Sequence, residues 1–276
     1  MSKPRFFTGL QPTGTLTLGN YCGAIQPILA LQEDYEVIIM IADLHALTVP
    51  KKAFDYSQKS QEIVALLYAC APFVTISELN NMIQYKEKKR EQETGNLALL
   101  AYPVLMAADI FLYDADLVIV GQDQKQHLEL TSDIAQKFNN FYEKELLKIP
   151  EFAIPNLGAK IMGLKDPTKK MSKSENDYIG LLEAPEIVKE KFKKAKTDNK
   201  EIREVEKEMN KLNYSQFKEK VAEIVNEKLT LIQKNYNIYL PKISEILKKN
   251  NEYLKSLAEK KITIIKRELK LNYGKS

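Results

Sequence analysis

Residues Tyr35–Ala42 (YEVIIMIA) form an unbroken apolar run, and this stretch decides the predicted fold. A strand that is apolar at every position is typical of a parallel sheet covered on both faces, because a strand with one wet face alternates instead. Two shorter apolar runs, Arg5–Thr8 and Leu117–Val120, fit further strands. Helical periodicity separates them, as in residues 56–71. The pattern predicts an α/β fold with a parallel sheet.

Polar residues follow two of these predicted strands. Asp43 and His45 come directly after the first run, and Gly121-Gln122-Asp123 comes after Val120. Open α/β sheets bind ligands at the carboxyl ends of their strands, so we expect a ligand site there. A hydrogen-bonded structural role is the alternative for His45.

The first predicted strand leads into a loop, Gln11-Pro12-Thr13-Gly14, and then into a helix that starts near Gly19 and Asn20. This order suits a phosphate group, since a helix N-terminus offers unpaired N–H groups. The dinucleotide motif G-x-G-x-x-G and the P-loop motif G-x-x-x-x-G-K are both absent. The segment therefore predicts a phosphate loop of another kind.

A second basic segment, Lys170-Met171-Ser172-Lys173-Ser174, places lysines and hydroxyls side by side. Such a cluster serves to grip a polyphosphate, to bind nucleic acid or to cover a solvated loop. Its position after the phosphate loop, beyond the α/β pattern, favours the first use.

Composition limits the class of protein. The chain has 276 residues and a net charge of +4, so contact with nucleic acid is permitted without being demanded. Cys22 and Cys70 lie far apart and indicate neither a metal site nor a disulfide framework. We find no apolar run near the roughly 18 residues that a membrane span needs, and no apolar signal core. We expect a cytoplasmic protein without membrane contact.

The two basic and glycine-bearing segments resemble the motifs of class I aminoacyl-tRNA synthetases. Residues Thr13–Asn20 are similar to that family's His-Ile-Gly-His region, with Thr17 and Asn20 in place of its histidines. Lys170–Ser174 spells the family's KMSKS motif. Tyr102–Asp109 and Gly121–His127 resemble the tryptophanyl branch, and the likeness runs along nearly the whole chain.

The resemblance implies a tryptophan–tRNA ligase. Such an enzyme joins L-tryptophan to ATP as tryptophanyl-adenylate, releases pyrophosphate and transfers tryptophan to the 3′ end of tRNA(Trp). The implied cofactors are ATP and Mg²⁺, with the metal bound through the ATP phosphates and not by a protein site. The implied catalytic residues are Gln11, Thr17, Lys170 and Lys173. The implied ATP-binding residues are Gln11, Pro12, Thr13, Gly19, Asn20, Gly121, Gln122, Asp123, Ile161, Lys170, Met171, Ser172, Lys173 and Ser174.

Amino-acid specificity depends on Asp109. An acid in an apolar helical stretch is costly unless something binds it, and Asp109 shares a helix face with Met106. Indole has one N–H donor on a flat apolar body, so its site needs one acceptor in an apolar slot. The resemblance gives the same assignment, and a capping or ion-paired acid is the alternative. The expected tryptophan-binding residues are Phe7, His45, Tyr102, Met106, Asp109, Val118, Val120 and Gln124.

We predict a Rossmann-like catalytic domain over residues 1–180, which includes a dimer-interface insertion at about residues 73–110. Residues 181–276 are predicted to form a helical region that contacts tRNA, and its last helix is a candidate to return to the first domain. The family implies a homodimer. Two alternatives stay open: the tyrosyl branch of the same fold, and a catalytically silent RNA-binding paralogue.

Overall fold

The computed structural model describes residues 3–10, 15–41, 60–91, 95–153, 161–169, 171, 175–195 and 212–271. The chain divides into two compact units. The first comprises residues 1–12, 31–155 and 247–276, and the second comprises residues 13–30 and 156–246. The domain boundary expected near residue 180 stays a prediction. Within the described ranges, we find no helix that is both long enough and apolar enough to span a membrane.

A parallel sheet lies in the first unit. Its described strands are β1 (Arg5–Leu10), β2 (Glu36–Ile41), β3 (Leu117–Ile119) and β4 (Glu151–Ala153), in the order β2-β1-β3-β4. Each neighbouring pair is parallel. Phe7 of β1 lies opposite Ile38 of β2 and Val118 of β3. The predicted α/β class with a parallel sheet is therefore confirmed.

Strand β2 differs from the prediction in one respect. Ile38 is buried, but Ile39 is 43% exposed and Ile41 is 54% exposed. The expectation that this strand is covered on both faces is therefore wrong. In the described sheet β2 is the edge strand, with a neighbour on one side only.

Helices make up most of the remaining described chain. A π-helical segment, Tyr21–Ile25, joins the first two, so residues 18–30 are helical without a break. In chain order the α-helices are α1 (Leu18–Asn20), α2 (Gln26–Ala30), α3 (Ser60–Cys70), α4 (Ile76–Asn80), α5 (Ile83–Glu91), α6 (Leu97–Leu112), α7 (Lys125–Tyr142), α8 (Pro185–Lys193), α9 (Tyr214–Tyr239) and α10 (Ile243–Glu268).

The core of the first unit is built around α6. Leu66 of α3, Phe111 of α6 and Phe138 of α7 have no exposed surface, and all three belong to one apolar cluster. Ala258 and Ile262 of α10 belong to the same cluster. The last helix therefore packs on the first unit.

Residues 76–91 form two helices and not one. Thr75 caps α4: its hydroxyl accepts from the backbone N–H of Glu78, and the Glu78 carboxylate accepts from the backbone N–H of Thr75. The chain leaves the helix at Asn81 and Met82 before α5 begins. At the start of α5, Ile83 N–H donates to Gln126 Oε1 over 2.9 Å, so a side chain of α7 caps the second helix.

The second unit has its own apolar cluster. Tyr21, Ile179, Val188 and Leu229 are buried in it, and they come from four separate segments. Helix α8 packs along α9, and residues 18–30 join the same cluster through Leu18 and Ile25.

Candidate active site

Four residues expected to surround tryptophan lie in one apolar cluster of the first unit. Phe7 is 3% exposed and Val118 is 1% exposed, and they face each other across β1 and β3. Met106 of α6 and Val120 after β3 pack against the same cluster. Residues from two strands and one helix thus meet in one apolar cluster, and their contact with tryptophan stays a prediction.

Asp109 is buried in the same helix as Met106. Its side chain is 3% exposed, and its neighbours Ala108 and Ile110 are 0% and 1% exposed. Burial raises the pKa values of Tyr102 and Tyr113 to about 12; the negative charges of Asp123 and then Asp109 add to this at Tyr102, and that of Asp109 adds to it at Tyr113. Asp109 is therefore an acid close to two phenols, in a mostly apolar part of the fold.

Tyr113 connects Asp109 with the apolar cluster. Its ring stacks on Phe7, with ring centroids 5.8 Å apart. Aromatic pairs at this spacing add roughly 0.5–1.5 kcal/mol beyond the area that they bury. The stacking therefore helps to fix the position of Phe7.

A hydrogen-bond network joins α6 to α7 beside Asp109. The Tyr102 hydroxyl donates to Gln124 Oε1 over 2.7 Å. His127 Nδ1 lies 2.8 Å from the same oxygen. Because an amide oxygen only accepts, Nδ1 carries the proton of this imidazole. The rings of Tyr102 and His127 meet edge to face at 5.0 Å, and His127 is 1% exposed.

Helix α5 contributes two side chains that sequence reasoning had not assigned to this network. Gln84 Nε2 donates to Asp123 Oδ2 over 2.7 Å, and Gln124 Nε2 donates to the same oxygen over 2.8 Å. The ammonium of Lys88 lies 5.5 Å from the centroid of the Tyr102 ring. Gln84 and Lys88 are four residues apart, so they share one face of α5. That spacing is the only sequence signal that could have linked them.

Gly121 leaves space for this network. A Cβ atom at Gly121 would lie 2.6 Å from Asp123 Oδ1. Glycine therefore allows the Asp123 carboxylate to keep its position against Gln84 and Gln124. Gln122 and Asp123 form a single 3-10 turn with Gln124 that leads into α7.

In the second unit, the first predicted motif forms a tightly capped helix start. Asn20 N–H donates to Thr17 Oγ1 over 3.2 Å, and Thr17 N–H donates to Asn20 Oδ1 over 3.0 Å. The backbone on either side pairs with residues 179–181: Leu18 N–H donates to Ile179 O, and Leu181 N–H donates to Leu16 O. Thr17 is only 6% exposed. The side chains of Thr17 and Asn20 therefore hold the backbone around Gly19.

Met171 of the second motif and Ile161 lie in a short hairpin. Gly163 N–H donates to Lys169 O, and Met171 N–H donates to Ile161 O, both over 2.8 Å. The Met171 side chain packs with the cluster that holds Leu18 and Tyr21. The hairpin and the helix start at Thr17 thus belong to one packed body.

The remaining predicted site residues lie outside the described residues. They are Gln11, Pro12, Thr13, His45, Lys170, Ser172, Lys173 and Ser174. Among the residues that the structure describes, we find no group of three or more His, Cys, Asp or Glu side chains arranged to hold a metal ion.

Comparison with known proteins identifies the family. A family model described as tRNA synthetases class I (W and Y) matches residues 1–70 and 54–264. The tryptophan–tRNA ligase of Clostridium tetani is 36% identical over 325 residues, covering 97% of this chain and 96% of that protein. The tryptophan–tRNA ligase of Caldanaerobacter subterraneus subsp. tengcongensis is 37% identical, covering 97% and 98%. The crystal structure of Campylobacter jejuni tryptophanyl-tRNA synthetase complexed with ADP and tryptophan superposes with a TM-score of 0.82 at 28% identity, covering 96% of this chain and 99% of that chain. This chain therefore belongs to the class I tRNA synthetases of the tryptophan and tyrosine family.

Proposed function

We propose that this chain is a tryptophan–tRNA ligase that activates L-tryptophan with ATP and transfers it to tRNA(Trp). The observation that carries the choice of amino acid is the buried carboxylate of Asp109, 3% exposed and close to the apolar cluster of Phe7, Met106 and Val118. An indole needs one acceptor and apolar walls, and this set of side chains has that composition. The relatives of this chain named as tryptophan–tRNA ligases support the same assignment.

In the first step, a carboxylate oxygen of tryptophan forms a bond to the α-phosphorus of ATP. The bond from that phosphorus to the bridging oxygen breaks, and pyrophosphate leaves with the electron pair. No side chain has to act as a nucleophile. The protein's task is to position the two substrates and to neutralise the charge that develops on the phosphates.

We assign Asp109 to the indole N–H and the network around Gln124 to the polar end of tryptophan. With a pKa of about 12, Tyr102 stays a neutral phenol at pH 7. Its proton is directed at Gln124, so its oxygen keeps lone pairs that can accept from the ammonium group of the substrate. Gln124 Oε1, held by Tyr102 and His127, is a second acceptor. His45 retains the same assignment from the family resemblance.

On the phosphate side, Lys170 and Lys173 are assigned to the β- and γ-phosphates, with Gln11 and Thr13 as further ATP contacts. Thr17 and Asn20 cap their own helix start, so their contribution is to fix the backbone at Gly19. Mg²⁺ would arrive bound to the triphosphate and supply charge neutralisation there.

We extend the proposal to the partners. Residues 73–110 expose large apolar side chains, with Ile76 at 70%, Ile83 at 60% and Leu97 at 79% exposed, which supports a homodimer interface in this insertion. The helical region beyond residue 180 is assigned to tRNA contact. Cys70 is buried and unpaired, which suits the reducing cytoplasm.

Amino-acid-dependent exchange between ATP and radiolabelled pyrophosphate tests this function. We expect exchange with tryptophan, and at most a trace with tyrosine. Purified tRNA should then accept tryptophan at its 3′ end. Preferential exchange with tyrosine would assign the chain to the other branch, and no exchange with any amino acid would indicate a silent paralogue.

A further inference from the structure

We propose that Asp177 is a positioning residue for adenylate formation, which holds the hairpin that leads to Lys170 in fixed register with the helix start at Thr17. This inference rests on the proposed function. We call Asp177 together with the backbone N–H groups of residues 164–166 the carboxylate clasp. All parts of the clasp belong to the second unit.

In the clasp, backbone N–H groups form an anion-binding site, and the carboxylate of Asp177 occupies it. Asp177 Oδ1 accepts from Leu164 N–H over 2.9 Å, and Lys165 N–H lies 3.1 Å from Oδ1 and 3.0 Å from Oδ2. Asp166 N–H lies 3.4 Å from Oδ2. Asp177 is only 6% exposed. Successive backbone N–H groups form an anion-binding concavity, and hydrogen bonds to a charged acceptor are about twice as strong as neutral ones.

Gly163 lacks a side chain at the point where this carboxylate approaches the backbone. A Cβ atom at Gly163 would lie 2.2 Å from Asp177 Oδ2 and 2.9 Å from Asp166 O. No real side chain tolerates either distance, and the second obstacle is backbone that cannot rotate away. The position of the Asp177 carboxylate therefore requires glycine at residue 163.

The clasp controls the hairpin of the second motif. Lys169 O accepts from Gly163 N–H, and Met171 N–H donates to Ile161 O. The residues on either side of Lys170 are thus tied to the arm that starts the clasped turn. The Lys165 ammonium donates to Asn176 O over 2.7 Å, which draws the chain after Ser174 to the same turn. The two ends of the Lys170–Ser174 segment are therefore held at one place.

The clasp also connects the hairpin to the first motif. Two residues after Asp177, the carbonyl of Ile179 accepts from Leu18 N–H over 2.8 Å, and Gly180 bridges to Thr17. A shift of Asp177 therefore moves the hairpin of Ile161 and Met171 relative to the capped helix start. Misplacement of reacting groups by about 1 Å can cost as much as 100-fold in rate.

Asp177→Asn tests the clasp without changing its size. An amide keeps one acceptor oxygen but turns an NH₂ group toward backbone N–H donors. We expect tryptophan-dependent adenylate formation to slow by at least about 10-fold in single turnover, while tryptophan affinity stays within about twofold of the parent. Glu175→Gln is the matched control: the same charge is removed two residues earlier, where the carboxylate is exposed and pairs with Lys169 at 3.7 Å. It should keep the parent rate.

A double-mutant cycle separates positioning from a general structural role. If Asp177 acts through the lysine segment, adding Asp177→Asn to Lys173→Ala slows the reaction much less than it slows the parent. If Asp177 only supports folding, the two effects multiply, and that result would overturn the inference. Should Asp177→Asn unfold at the assay temperature, the cycle is measured at a lower temperature at which urea titration shows all four proteins to be folded.

The outcomes distinguish this inference from the proposed function. A parent protein with no exchange activity overturns both. A parent that exchanges with tryptophan, alongside an Asp177→Asn protein of equal rate, overturns the inference alone. A slow Asp177→Asn protein with a non-additive cycle and a normal Glu175→Gln control supports it.

Discussion

Replacing Asp109 by asparagine tests most directly whether this carboxylate accepts a hydrogen bond from the indole N–H of tryptophan. The substitution keeps the size of the side chain and one acceptor oxygen, but it removes the charge from a site that is 3% exposed. A neutral hydrogen bond contributes about 0.5–1.5 kcal/mol, and a charge-assisted one about twice that. The loss is therefore on the order of 1.4 kcal/mol, which corresponds to about tenfold in kcat/KM for tryptophan.

The assay is tryptophan-dependent pyrophosphate exchange, measured alongside the KM for ATP. We expect the KM for ATP to change little, because Asp109 is assigned to the amino acid and not to the phosphates. Asp133→Asn is the matched control, since it makes the same change at an exposed position on α7. A tenfold loss in that control would point to a general effect of charge.

Asp109→Ala gives the refuting measurement. It should lower activity further and narrow the gap in kcat/KM between tryptophan and phenylalanine, because phenylalanine has no ring donor to lose. A site that hydrogen-bonds a substrate donor can reject an analogue without it by as much as about 10⁴–10⁵. If the ratio of kcat/KM for tryptophan to that for phenylalanine is the same in Asp109→Ala as in the parent, Asp109 does not recognise the indole N–H.

Three further substitutions test other parts of the molecule. Lys173→Ala should slow adenylate formation by roughly 10²–10³ with tryptophan affinity unchanged, and equal single-turnover rates would contradict its assignment to the phosphates. The hydrogen bond from Lys137 and the helix cap lower the pKa of Glu78 to about 2, so its stabilisation is present above its ordinary value of 4.5 and is lost as the pH falls toward 2. Glu78→Gln should therefore lower the free energy of unfolding by roughly 0.5–1 kcal/mol at pH 7, and urea titrations at lower pH should show a smaller difference from the parent. If the difference between variant and parent is the same at every pH, the charge of Glu78 is not its cause. Lys261→Met should cost about 1–3 kcal/mol, because its buried ammonium pairs with a carboxylate and donates to a carbonyl over 2.7 Å. The control Lys260→Met, on the exposed face of the same helix, should cost less than about 0.5 kcal/mol. If Lys261→Met and Lys260→Met unfold at the same urea concentration, the role given to Lys261 is refuted.

The parallel sheet could be predicted because its evidence is local. Consecutive apolar residues in Tyr35–Ala42 and Leu117–Val120 indicate strands, and helical segments between such strands are typical of a parallel sheet. Strand β4 could not be predicted in the same way. It has three residues, all exposed, and its pairing of Phe152 with Val118 gives it a place in the sheet. Such a strand exists because β3 offers unpaired backbone groups and not because of its own sequence.

The exposure of β2 has a related cause. Ile39 and Ile41 lie on one face of β2, and their own sequence does not show whether another element covers that face. The start of α4 is different, because a local signal for it was present. Thr75 and Glu78 have the spacing of a capping box, which marks a helix start at residue 76. The break before α5 has no such local signal, because Ile83 N–H at the start of α5 donates to Gln126, 43 residues away along the chain.

In the candidate site, too, some residues could be predicted from local sequence and others depend on how distant segments pack. Asp109 and Met106 lie three residues apart in an apolar helical stretch, so their shared helix face could be predicted from the spacing alone. The bond from Gln84 to Asp123 spans 39 residues and depends on how α5 lies against the start of α7. The clasp of Asp177 is harder still, because its partners are backbone N–H groups, which every non-proline residue possesses. A carboxylate bound by backbone leaves no pattern of residue types in the sequence, and its only trace is Gly163, whose missing Cβ makes the space for it.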